Sequence, residues 1–136
     1  MPADDLSSAR GPVIGIDMIA GALGRFIRGQ TAPTSSGPQT ATFLTPWVEV
    51  SGNSDLRLDL IIAAATGTTP SMTVTVQTSF DAGVTDAART VAAFAAQTAA
   101  GTTRQTFGPV DRWVRLSCAI TGTTPSFTFT ASGEAL

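Results

Sequence analysis

The hexapeptide Thr-Gly-Thr-Thr-Pro-Ser occurs twice in this chain, at Thr66–Ser71 and again at Thr121–Ser126. Each copy is followed by strict alternation. Met72, Val74 and Val76 alternate with Thr73, Thr75 and Gln77; Phe127, Phe129 and Ala131 alternate with Thr128, Thr130 and Ser132. Each copy is also preceded by it. Leu56, Leu58 and Leu60 interleave with Asp55, Arg57 and Asp59 before the run Ile61-Ile62. Arg112, Val114, Leu116, Cys118 and Ile120 interleave with Trp113, Arg115, Ser117 and Ala119. Successive side chains leave a strand on opposite faces, so a period of two with one polar side marks a half-buried antiparallel strand. Gly67 and Gly122 offer positive φ, while Pro70 and Pro125 fix the backbone and refuse a ladder bond. The expected unit is therefore strand, hexapeptide turn, strand, used twice. A turn longer than a tight hairpin leaves register to the hydrophobic faces.

The neighbouring runs extend the scheme. Phe43-Leu44 and Trp47-Val48-Glu49-Val50 read as opening strands with Pro46 at an edge or kink, and Arg104 to Phe107 reads as a short strand ending at Gly108-Pro109. Residues 84–100 fit two patterns. Val84, Ala87, Ala88, Val91, Phe94 and Ala95 suit a helix started by Thr85 and stopped by Gly101. The surrounding strands favour a strand through Thr90 to Ala95. The sum is seven or eight strands in one domain over residues 41–136. The expected fold is all-β, an antiparallel β-sandwich of jelly-roll-like kind with an extended N-terminal arm.

Residues 1–40 form that arm. Gln30 to Thr40 has the composition of a linker, stiffened by Pro33 and Pro38. Upstream, Val13, Ile14, Ile16, Ile19, Phe26 and Ile27 are apolar anchors in search of a surface, in one short helix or strand. Gly15, Gly21 and Gly24 weaken a helix there by roughly 1 kcal/mol each. So apolar a segment is expected to dock on its own domain, a sister subunit or a larger assembly. The stretch from Val13 to Ile27 is too short and interrupted to cross a bilayer. The acidic opening, Met1-Pro2-Ala3-Asp4-Asp5, is unlike a signal peptide.

The chemical inventory is thin. The chain has no His, Lys or Tyr, which removes the commonest general acids and bases. The eight basic residues, all Arg, scatter along the chain without a basic stripe, so no nucleic-acid footprint is expected. Cys118, the one cysteine, sits on an apolar strand face and reads as a small buried residue. Asp55 and Asp59 flank Arg57 on a strand's outer face. They read as a solvated surface, against the alternative of a glycosidase-like acid pair. Asp81 and Asp86 read as turn-forming residues whose spacing misses the known Ca²⁺-loop pattern. No cofactor, no metal and no catalytic residue is expected. Trp47 and Trp113 are core-edge residues or, in the alternative, sugar-stacking platforms.

Several phrases in residues 47–134 resemble small β-sandwich virion structural proteins of tailed bacteriophages. They are Trp47-Val48-Glu49-Val50-Ser51-Gly52; Leu56 to Thr69 with Pro70-Ser71; Val76-Gln77-Thr78-Ser79 with Asp81; and Phe107-Gly108 with Arg112-Trp113-Val114-Arg115. Thr121 to Phe127 closes the set. The resemblance covers the domain and none of the arm. It implies a non-enzymatic capsid decoration (cement) protein. Its partners would be the major capsid protein or other virion proteins, and it would be a homo-oligomer, with a trimer favoured. Its place would be the virion, assembled in the host cytoplasm, with no nucleic acid or membrane contact. The alternative is a carbohydrate-binding module of a tail tip or fibre, using Trp47 and Trp113.

Overall fold

The computed structural model describes residues 14–20, 24–27, 31–50 and 54–136. The described residues fold as an all-β, antiparallel assembly of eight strands with no helix. The first four strands are short: β1 (Ile14–Asp17), β2 (Arg25–Ile27), β3 (Phe43–Leu44) and β4 (Val48–Glu49). Next come β5 (Ser54–Ser79), β6 (Arg89–Ala93), β7 (Gly101–Val110) and β8 (Trp113–Ala135). Residues 84–100 hold a strand, β6, where two patterns competed. The helix spacing of Val84 to Ala95 loses because the β5 edge supplies a ladder: Thr75 to Thr78 pair with Ala93 back to Arg89.

The hexapeptides are not turns. Each lies inside one long strand, β5 or β8, and the two strands pair antiparallel from Leu56↔Ala135 to Ser79↔Trp113. The two copies face one another, with Thr66 opposite Ser126 and Thr68 opposite Thr123, and the register shifts on either side of Thr68. Glycine and proline do what was expected of them locally, bending the backbone, but they bend a paired ribbon and reverse no chain. Gly67 and Gly122 take φ of 115° and 122°, and Thr69 and Thr124 both take 47°. A Cβ on Gly67 would stand 2.7 Å from the Thr124 carbonyl oxygen, and one on Gly122 would stand 2.8 Å from that of Thr69. Matching values at matching positions define an approximate twofold axis through the bend.

The bend turns the ribbon into a two-layered, sandwich-like fold. On one margin Gln39 bonds to Phe127 and Phe43 pairs with Cys118. On the other, Gln97 bonds to Met72 and Gly101 pairs with Ile62. The margins thus cut the corner in a few residues while β5 and β8 travel around it, because an extended chain gains at most ~3.6 Å per residue. The apolar faces of the two halves then meet. Phe43, paired in one half, packs against Phe129 of the other at 6.2 Å between ring centroids, and Phe94 meets the edge of Phe107 at 5.0 Å. Leu56, Leu58, Leu60, Met72, Val74, Val76, Val114, Leu116, Phe127 and Phe129 are buried in this core.

The N-terminal segment belongs partly to the same body. β1 pairs with the end of β8, Ile16 opposite Gly133, and β2 pairs with β1. Asp17 is buried and accepts backbone N–H groups from Ile19 at 3.0 Å and Thr34 at 2.6 Å. That carboxylate ties the short hairpin to the linker beyond it. The linker runs along β8: the Ser36 N–H donates to the Phe129 carbonyl, and the Thr45 N–H to that of Leu116.

Candidate functional site

The fold has two ends. One is the bend, where residues 63–69 and 121–124 are mostly exposed and threonine-rich. The other collects both ends of β5 and β8, the 80–86 loop and the C-terminus; there the Leu136 N–H donates to the Asp55 carbonyl and the Asp111 N–H to the Thr78 hydroxyl. The charged side chains are largely spent on holding strands together. Arg104 Nε donates to Asp59 at 2.6 Å across β7 and β5. Arg57 pairs with Glu134, Arg112 with Glu49, and Arg89 with Asp111 at 3.6 Å. Among the described residues no three His, Cys, Asp or Glu side chains gather as metal ligands. Cys118 is fully buried, and burial pushes its thiol up to about 12, so it holds its proton at neutral pH.

The 80–86 loop is a small built object. The Asp81 carboxylate accepts the Thr85 hydroxyl, the Thr85 N–H at 2.9 Å and the Asp86 N–H at 3.1 Å. Asp86 accepts the Phe80 N–H at 2.8 Å. Ser79, buried at the root, donates its hydroxyl to the Asp86 carbonyl at 2.7 Å and accepts the Gly83 N–H at 3.0 Å. The Thr85 hydroxyl first, then the Asp86 amide, hold the Asp81 carboxyl down to about 2. Ala82 and Gly83 carry positive φ of 58° and 79°, which closes the loop. Both carboxylates are therefore turn-forming groups. What the loop presents outward is Phe80, 68% exposed, and Val84, 80% exposed.

The two tryptophans lie beside this loop. Trp47 is half-buried, with the Arg115 guanidinium stacked over its ring at 4.5 Å from the centroid. Gly83 lies against the same indole: a Cβ there would stand 3.6 Å from Trp47 Cζ2. Arg115 Nε donates to Gln77 Oε1 at 2.8 Å, which leaves both terminal amino groups of the fork free of any carboxylate among the described residues. Trp113 is half-buried two residues away on the same face of β8, opposite Glu49 and Ser79. As sugar platforms the two are unequal: Trp47 already carries a guanidinium over its ring, and Trp113 has no ring contact with a described residue.

The arm residues divide in the same way. Ile16 is buried in the chain's own core and Ile19 packs against it, so Ile16 offers nothing to a partner. Ile14 is 40% exposed and Phe26 is half-buried, on the β1–β2 hairpin. Ile27 pairs with Ile14 through its backbone, and Val13 lies outside the described residues. Sequence reasoning passed over Phe80 and Arg115. The signal for Phe80 was an aromatic flanked by Ser79 and Asp81, two turn-forming residues, which sets a large apolar group outside any strand. Compared with known protein families, curated proteins and solved structures, the chain matches none.

Proposed function

We propose that this chain is a non-enzymatic structural subunit of a virus particle, a capsid decoration protein that holds an assembled shell through its N-terminal region. The observation that carries the reading is the β1–β2 hairpin. Ile16 and Asp17 fasten β1 to the sandwich, so Ile14 and Phe26 stand at a fixed margin of the sheet. Within the described residues β2 is the terminal strand on that side, and an edge strand is a ready template for pairing with another chain. A side-chain inventory without His, Lys or Tyr, with Arg57, Arg104 and Arg112 each paired to an acid of another segment, suits a protein that works by shape. Such a protein stabilises a shell by mass action: it binds the assembled lattice and not its parts. The resemblance in residues 47–134 supplies the particle, a tailed-phage virion.

The test is the composition and density of tailed-phage particles assembled in cells that also produce the chain. The expected result is the chain on the outer shell at fixed stoichiometry, with occupancy cut by Ile14→Ser and Phe26→Ser together. Particles that never contain the chain, or full occupancy by the double variant, would overturn the reading. The carbohydrate-binding reading rests on Trp113, half-exposed on an outer face, and predicts glycan binding lost on Trp113→Ala.

A further inference from the structure

We infer that the face formed by Phe80, Val84, Trp47, Trp113, Arg115 and Glu49 is a contact between two copies of this chain, related by a twofold axis. The inference stands on the surface alone and holds whatever particle or ligand the chain serves. Three observations lead to it. The loop that carries Phe80 and Val84 is locked by hydrogen bonds from Asp81, Asp86 and Ser79, so exposing two large apolar side chains on it is a fixed feature of the fold. Rigid apolar anchors of this kind lose little entropy on binding, the property that distinguishes a contact surface from a loose loop. The half-buried indole of Trp47 adjoins that loop at Gly83, the residue before Val84.

The third observation selects the partner. Arg115 is held over the Trp47 ring and bonded to Gln77, yet the outer end of its fork has no carboxylate among the described residues. A guanidinium so placed is prepared for a carboxylate from outside. The same face carries its own answer. Glu49 sits opposite Trp113 with its side chain 43% exposed, and shares its charge with the still more exposed Arg112. A face with an apolar centre, a vacant cation and a reachable acid is complementary to itself, the condition a twofold contact imposes. Arg115 of each copy then meets Glu49 of the other, with Phe80 and Val84 in the centre.

The experiment is sedimentation equilibrium of the full chain over a concentration series. The expected result is a monomer–dimer equilibrium. Arg115→Glu alone and Glu49→Arg alone each place like charges across the axis and weaken the dimer at least tenfold. The double swap, Arg115→Glu with Glu49→Arg, restores it. Phe80→Ser with Val84→Ser abolishes it, while the far-UV β spectrum and melting of the monomer stay as in the parent chain. A chain that remains monomeric at millimolar concentration, a trimer, or a dimer untouched by Phe80→Ser with Val84→Ser overturns the inference. So does a charge swap that fails to restore the dimer. None of these results bears on particle occupancy, so this inference and the proposed function fail separately.

Discussion

The bend and the 80–86 loop sit at opposite ends of one body, and both depend on positive-φ backbone and hydroxyl-bearing side chains. They use them to different ends. At the bend, Gly67 packs on Thr124 and Pro125 while Gly122 packs on Thr69 and Pro70, so each hexapeptide is the other's partner. The loop has no sequence counterpart elsewhere in the chain. Its hydrogen bonds are turned inward upon Asp81, and its apolar groups, Phe80 and Val84, are turned outward. The loudest signal in the sequence thus marks a structural joint. The surface with unspent binding capacity is written once, in residues that look like an ordinary turn.

If the bend is a true self-paired joint, its two glycines are equivalent. Gly67→Ala and Gly122→Ala each force a Cβ to within 2.7 and 2.8 Å of backbone oxygen, at φ values that L side chains avoid. The expected cost is about 2–4 kcal/mol each, through backbone strain and displacement of a paired strand. Denaturant unfolding of the two variants would measure it. Equal losses support the twofold joint. A large loss at one glycine and a small one at the other would mean that the copies match in sequence and differ in role.

The next effect belongs to the arm. Asp17→Ala removes the acceptor for the Ile19 and Thr34 amides in a buried site, for an expected loss of about 2–3 kcal/mol. Limited proteolysis near Gln30–Pro33 should become faster in that variant. The link between Asp17 and Thr34 spans 17 residues and no local pattern announces it. The strands were legible because burial on one side imposes a period of two, and Leu56 to Leu60 or Val114 to Ile120 keep it without a lapse. The joint was misread because Gly and Pro report a local bend, and whether a bend ends a hairpin or creases a ribbon is decided by the strand across from it. The loop face was illegible for a related reason. Arg115 stacks on Trp47 from 68 positions away, and only the fold sets them side by side.

Acid separates the two ends of the molecule. The bend contains no titratable group, whereas the loop is organised around the Asp81 carboxylate. That carboxyl sits at about 2 in the folded chain, below its ordinary value of 3.8. Above pH 4 it is ionised in both folded and unfolded chains, and its contribution is fully present. As pH falls from 4 towards 2 the unfolded chain takes up the proton first, so the contribution is lost across that window. Comparing the parent chain with Asp81→Asn by thermal melting should therefore show a gap at neutral pH that closes between pH 4 and 2. A gap that is the same at pH 2 and pH 7 would mean that Asp81 acts by shape and not by charge.

The smallest expected change in stability is also the most informative about the loop. Phe80 and Val84 are 68% and 80% exposed, so Phe80→Ser and Val84→Ser remove little that the folded monomer holds. Each should alter the unfolding free energy of the monomer by less than about 0.5 kcal/mol, the ordinary range for surface substitutions. Removing exposed apolar area should also raise solubility if nothing covers that area. A loss well above that range in dilute solution would show that the two side chains close over the neighbouring Trp47 and are part of the core's edge. A negligible loss when dilute, growing as protein concentration rises, is what a surface reserved for a second copy requires, because only the associated state then loses the contact.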